Sequence, residues 1–206
     1  DLVETFESLM PAKLVCEKEV QLRMLYQQLA TGAPWRLYER ETLGQCPFPV
    51  GLYYEDLAST YKFIHAAGNV AVINCRDLYA YRLRATSIIR QDYSHIKGSS
   101  ALIVAAQLEK DITAWYPDLS TAVASRCFAV CRMVYGQIPA KGADNSTVET
   151  ERDGVALWSV IKRHRKTVLL DACARKRERL AALAACLGRS CFSYFCYICR
   201  RLGKMQ

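Results

Sequence analysis

The residues best equipped for chemistry in this 206-residue chain are ten cysteines, three histidines and a late concentration of Lys and Arg. Half of the cysteines fall in the last 34 residues: Cys173, Cys186, Cys191, Cys196 and Cys199. Zinc needs four ligands converging tetrahedrally, and thiolates are good ones. Here only Cys196-x2-Cys199 has knuckle spacing, and no second such pair completes it. Phe192, Tyr194, Phe195, Tyr197 and Ile198, between and beside these thiols, suit a packed core better than a zinc loop. The expectation is therefore buried thiols in a reducing compartment, with no metal and no cofactor assigned. The aromatic run 191–199 followed by Arg200-Arg201 also suits an S-acylated interfacial anchor, and the exposure of those aromatics decides between the two. Cys127-x3-Cys131 puts two thiols one helical turn apart, as a core stripe would.

Catalytic constellations are sparse. His65, His95 and His164 belong to no Gly-x-Ser-x-Gly elbow, phosphate-binding Walker loop, His-Glu-x-x-His pair or Gly-x-Gly-x-x-Gly fingerprint. Folding could bring Cys75 beside His65 or His95, but sequence alone selects no such pair. Glu55-Asp56 sits at a helix start, where carboxylates complement the helix dipole. No catalytic residue is assigned, and the chain is read as a non-enzyme.

Charge carries the stronger signal. The formal net charge is +8, yet residues 1–150 hold 15 basic and 16 acidic side chains, while residues 151–206 hold 13 and 4. Two clusters account for most of the excess: Lys162, Arg163, Arg165 and Lys166, then Arg175, Lys176, Arg177 and Arg179. Such a concentration can neutralise phosphates and release counterions, giving sequence-independent affinity for RNA or DNA. It can also attract an anionic membrane face or an acidic protein. Lys162-Arg163 and Arg175-Lys176-Arg177 have the spacing of a bipartite nuclear import address. A second basic-aromatic patch, Arg76, Tyr79, Tyr81, Arg82, Arg84, Arg90, Tyr93, His95 and Lys97, could stack on unpaired bases. The expected function is non-enzymatic binding of nucleic acid, RNA above a specific DNA site, through the eight cations at 162–179. The alternative is a helical interaction scaffold, membrane-apposed through its Cys/aromatic end. Both place the chain inside the cell, in cytoplasm or nucleus. A protein partner is expected, and nuclear or viral regulatory proteins share this combination of features.

The elements that must position these residues read as mainly α: a multi-helix bundle with at most one short β element. Residues 1–138 form the expected helical core, 139–153 a mobile linker, and 154–206 a basic, Cys-rich helical segment packed on that core. Helices are expected over 2–10, 12–30, 54–67 (ended by Gly68), 77–92, 99–115 and 119–135. The stripe of the last is Leu119, Val123, Cys127, Val130 and Val134. The Pro-rich stretch 32–51 reads as extended, pinned by Trp35, Leu37 and Tyr38. Asn69 to Cys75 is the one fair strand candidate, without an evident partner. In the tail, Leu157, Ile161 and Val168 share one face, and Leu180, Leu183 and Leu187 share another. These faces do not align along one straight rod, so the chain is expected to break near Asp171, a plausible N-cap. No stretch reaches the roughly 18–20 apolar residues of a membrane-spanning helix. A start at Asp1 without Met fits an excised or processed piece.

Overall fold

The computed structural model of the chain describes residues 12–45, 48–73, 92–139 and 147–202. The fold is mainly α: eight α-helices and one two-stranded antiparallel sheet among the described residues. The chain divides into two compact units, 1–49 with 55–91, and 50–54 with 92–206. The expected helices at 2–10 and 77–92 lie outside the described residues.

In the first unit, strand β1 (Ala12–Cys16) leads directly into α1 (Glu17–Leu25). The helix expected over 12–30 is thus shorter at both ends. Its first turns are β because Ala12 to Cys16 pair antiparallel with β2 (Asn69–Ile73), from Ala12 opposite Ile73 to Cys16 opposite Asn69. The partner that β2 lacks in sequence is thus a segment whose local pattern reads as helix. Backbone pairing across more than fifty residues overrides that pattern. The buried face of α1 is Val20, Gln21, Met24 and Leu25. The stretch after it is not wholly extended, for a 3₁₀ turn (Ala33–Trp35) and a short helix α2 (Arg40–Gln45) interrupt it. Tyr38 does pin it, meeting the Phe63 ring edge-on at 5.2 Å, whereas Leu37 points fully into solvent. Helix α3 (Glu55–Ala67) ends at Gly68 as expected. Gly68 takes φ +69°, which a side chain would strain, and its carbonyl accepts from the Glu17 amide at the start of α1. The Gln21 amide donates to the Tyr61 carbonyl at 2.5 Å, fastening α1 to α3.

The second unit is a helical bundle: α4 (His95–Trp115), α5 (Ser120–Tyr135), α6 (Val148–Leu170), α7 (Lys176–Cys186) and α8 (Arg189–Arg201). Helix α5 is its centre. The expected stripe of Leu119, Val123, Cys127, Val130 and Val134 is buried, and so are most of the remaining α5 side chains. It packs on α4, α6 and α7. Helix α4 starts at His95, four residues before the expected span 99–115. Ser94 caps it, accepting from the Lys97 amide. Of the expected linker 139–153, residues 140–146 lie outside the described residues and 148–153 are helix. A reciprocal Thr147–Thr150 capping box starts α6 there, and Thr150 is buried. The tail therefore packs within the same unit as α4 and α5. Helix α8 is docked through Phe192, which meets Phe128 and Tyr135 of α5 and Trp158 of α6 at ring separations of 5.4–6.4 Å. Full burial of such a ring contributes about 1.5–3 kcal/mol.

Candidate nucleic-acid interface

The first basic cluster is placed by α6. Leu157, Ile161, His164 and Val168 recur at four, three and four residues and are buried. The positions between them face outward: Lys162, Arg163 and Lys166 are exposed and Arg165 is half-buried. Arg163 reaches Glu109 on α4 at 3.3 Å. His164 lies beneath, its Nε2 3.5 Å from Glu109 Oε1 without a hydrogen bond, and burial lowers its pKa.

The break falls where sequence places it, but Asp171 ends α6 rather than starting α7. Its carboxylate accepts from the Cys173 amide at 2.9 Å, and its carbonyl accepts from the Ala174 amide. The chain turns within five residues, and Arg175 occupies the N-cap of α7. The second cluster is thus the first turn of α7. Arg175, Lys176 and Arg179 are exposed, and Arg177 is half-buried with Nε 3.1 Å from Glu178 Oε1. Arg179 donates to the Leu169 carbonyl at 3.3 Å, satisfying one of the orphan acceptors at the end of α6. Leu169 lies about 4.5 Å of helix rise beyond Lys166. Arg179 therefore ties the second cluster to the end of α6, about one turn beyond Lys166, at the corner between the two helices.

The electrostatics of that corner are unbalanced. A helix N-terminus carries a partial positive charge that disfavours cations. Arg175, Lys176 and Arg177 sit on it, and the one acid of this first turn, Glu178, faces inward. Glu178 is fully buried and accepts two bonds from Arg132 of α5, at 2.6 and 3.0 Å. An anion held over the corner would offset both the cluster repulsion and the helix dipole.

Glu178 also decides which way α7 faces. With it point Ala181, Ala182 and Ala185, all buried. The leucine face expected to pack is outside: Leu180, Leu183 and Leu187 are 59%, 47% and 70% exposed. Small side chains let α7 approach α5 and α6 closely, and the ion pair fixes the rotation.

Of the second patch, Tyr93, His95 and Lys97 are among the described residues. Arg76, Tyr79, Tyr81, Arg82, Arg84 and Arg90 lie outside the described residues. Tyr93 and His95 instead converge on buried Asp153, whose Oδ2 accepts from the Tyr93 hydroxyl at 2.6 Å and from His95 Nδ1 at 2.8 Å. That hydrogen bond raises the His95 pKa. Lys97 is buried, its ammonium 5.9 Å from the Tyr53 ring centre. Sequence reading missed this network, because its members are nearly sixty residues apart.

The described cysteines are spread over several elements. Among the described residues no group of three or more His, Cys, Asp or Glu side chains is placed to hold a metal. Cys196 is buried, Cys186 and Cys199 are half-buried, and Cys191 and Cys173 are exposed. Cys127 and Cys131 are buried core thiols, as their spacing predicts. Phe192 is buried, but Tyr194, Tyr197 and Ile198 are exposed, so α8 is a docked helix with an aromatic outer face. Among the described residues no helix is long and apolar enough to cross a membrane. Neither protein-family models, nor curated proteins, nor solved structures match the chain.

Proposed function

We propose that this is a non-enzymatic nucleic-acid-binding protein, with RNA as the preferred ligand, acting through the corner between α6 and α7. One observation carries the reading. Six of the eight cations at 162–179 are exposed, and Arg179 ties the second cluster to the end of α6, where α7 begins with its acid turned inward. Lys162, Arg163, Arg165, Lys166, Arg175, Lys176, Arg177 and Arg179 would contact phosphates, positioning the ligand without reading bases. The bipartite spacing within the same segment supports nuclear import alongside binding.

The deciding experiment is RNA affinity across a salt series. For a single strand the logarithm of the binding constant should fall with log[salt] at about 0.7 per phosphate contact. Lys162→Glu with Lys166→Glu, and separately Arg175→Glu with Lys176→Glu, should each flatten that slope by about 1.4. No binding at low salt, or an unchanged slope in both pairs, would sink the reading. A second reading, a helical interaction scaffold apposed to protein or membrane, draws on the exposed Leu180, Leu183 and Leu187. It predicts flotation with anionic vesicles that is lost when these leucines become Gln.

A further inference from the structure

A second site lies apart from this corner, where α8 crosses the end of α5 and the first turns of α6. It holds a half-open cleft of about 770 Å³, within the roughly 300–1,000 Å³ of small-molecule sites. Its walls are largely apolar, built from Ile138, Val155 and the Tyr135 ring. Against them stand three arginines, Arg189, Arg200 and Arg201, and among the described lining residues a single carboxylate, Glu151. Among the described residues none of the three arginines forms an ion pair.

The arginines are nevertheless held. Arg189 Nε donates to the Tyr135 hydroxyl at 3.2 Å, and its guanidinium lies 6.0 Å from the centre of that ring. The Tyr135 and Ser193 hydroxyl oxygens are 2.8 Å apart. Either hydroxyl can be the donor, and when the tyrosine donates, the serine proton is left to donate into the cavity. Arg200 reaches the Gln137 carbonyl at 3.5 Å, and Arg201 reaches the Tyr197 hydroxyl at 3.1 Å. A chain of oriented hydrogen bonds thus ends in a hydroxyl and a guanidinium with donors to spare, beside an apolar void.

We propose that this cavity binds an amphiphile with one anionic head and an apolar tail, a long-chain carboxylate. The tail fills the Ile138 and Val155 wall, and the head takes charge-assisted hydrogen bonds from Arg189 and Ser193. Among the described lining residues, three exposed guanidiniums against one carboxylate give a positive rim that favours an anionic head. A neutral apolar ligand would forgo these charge-assisted bonds, and a small inorganic anion would leave the apolar wall uncovered.

The test titrates the full chain with laurate below its micelle concentration, by calorimetry, with dodecanol and inorganic phosphate as comparison ligands. Laurate should bind once per chain and saturably. Dodecanol and phosphate should each bind at least about tenfold more weakly, the scale of losing a charged hydrogen bond. Arg189→Gln should weaken laurate at least about tenfold, and Val155→Trp, which fills the void, should abolish it. Ser193→Ala and Arg200→Gln serve in the same way if either variant fails to hold the wild-type circular dichroism spectrum. Equal affinity for laurate and dodecanol, wild-type laurate binding in the folded variants, or absence of saturable binding would each overturn the assignment. The charge reversals at 162, 166, 175 and 176 should leave laurate affinity unchanged, because they lie outside this cavity.

Discussion

At the scale of single residues, the Arg132–Glu178 pair has the largest consequence. Both side chains are almost fully buried, so removing one strands the other as an uncompensated charge. Glu178→Ala should destabilise the protein by about 3–5 kcal/mol in denaturant unfolding. Adding Arg132→Met should recover much of that loss, because the double variant strands no fully buried charge, and half-buried Arg177 still reaches solvent. A loss below about 1 kcal/mol in the single variant would mean the pair does not hold α7. The two described histidines of the second unit make a paired prediction. Asp153 raises the His95 pKa, so the folded state binds the proton more tightly than the unfolded chain. That contribution is complete below the ordinary histidine value of about 6.5 and is lost as pH rises through the raised value. Burial lowers the His164 pKa, and its contribution has the opposite sign. It is present above about 6.5 and is lost as pH falls through the window below. The histidine part of stability should therefore peak near pH 6.5. Chemical denaturation against pH should show His95→Gln flattening the alkaline side and His164→Gln the acid side.

At the scale of elements, α7 is the instructive case. Its two candidate faces, Leu180/Leu183/Leu187 and Glu178/Ala181/Ala182/Ala185, are both helical repeats, and apolar content favours the first. Tertiary structure chooses the second, because alanines permit close approach and Glu178 has Arg132 to meet. Enlarging the inner face should then cost more than polarising the outer one. Ala182→Leu should destabilise by about 1–3 kcal/mol through overpacking. Leu183→Gln should stay within about 0.5 kcal/mol, as an exposed substitution does. Thermal unfolding of the two variants decides the orientation, and the reverse ranking would place the leucines inside. Strand β1 teaches the same lesson. Residues 12–16 continue a helix-forming pattern, and only the antiparallel ladder to 69–73 makes them β.

At the scale of the whole molecule, burial sorts the thiols into classes that a labelling experiment can read. Cys16, Cys173 and Cys191 are exposed, while Cys127, Cys131 and Cys196 are buried. Burial pushes the Cys131 and Cys196 thiols up to about 12, so at neutral pH they are shielded and protonated. Iodoacetamide followed by peptide mass mapping should modify the first three in the native protein and reach the last three only on unfolding. Rapid native labelling of Cys196 would contradict the docking of α8. The sequence by itself determined the helical class, the α5 core stripe, the stop at Gly68, the break near Asp171 and the segregation of charge into 151–206. All of these are local: periodicities, caps, breakers and composition act within one or two turns of chain. Only the tertiary structure decided the partner of β2, the face that α7 buries, the Tyr93–His95–Asp153 network and the cavity beneath α8. Each of these depends on groups tens of residues apart in sequence, whose pairing energy no local window contains.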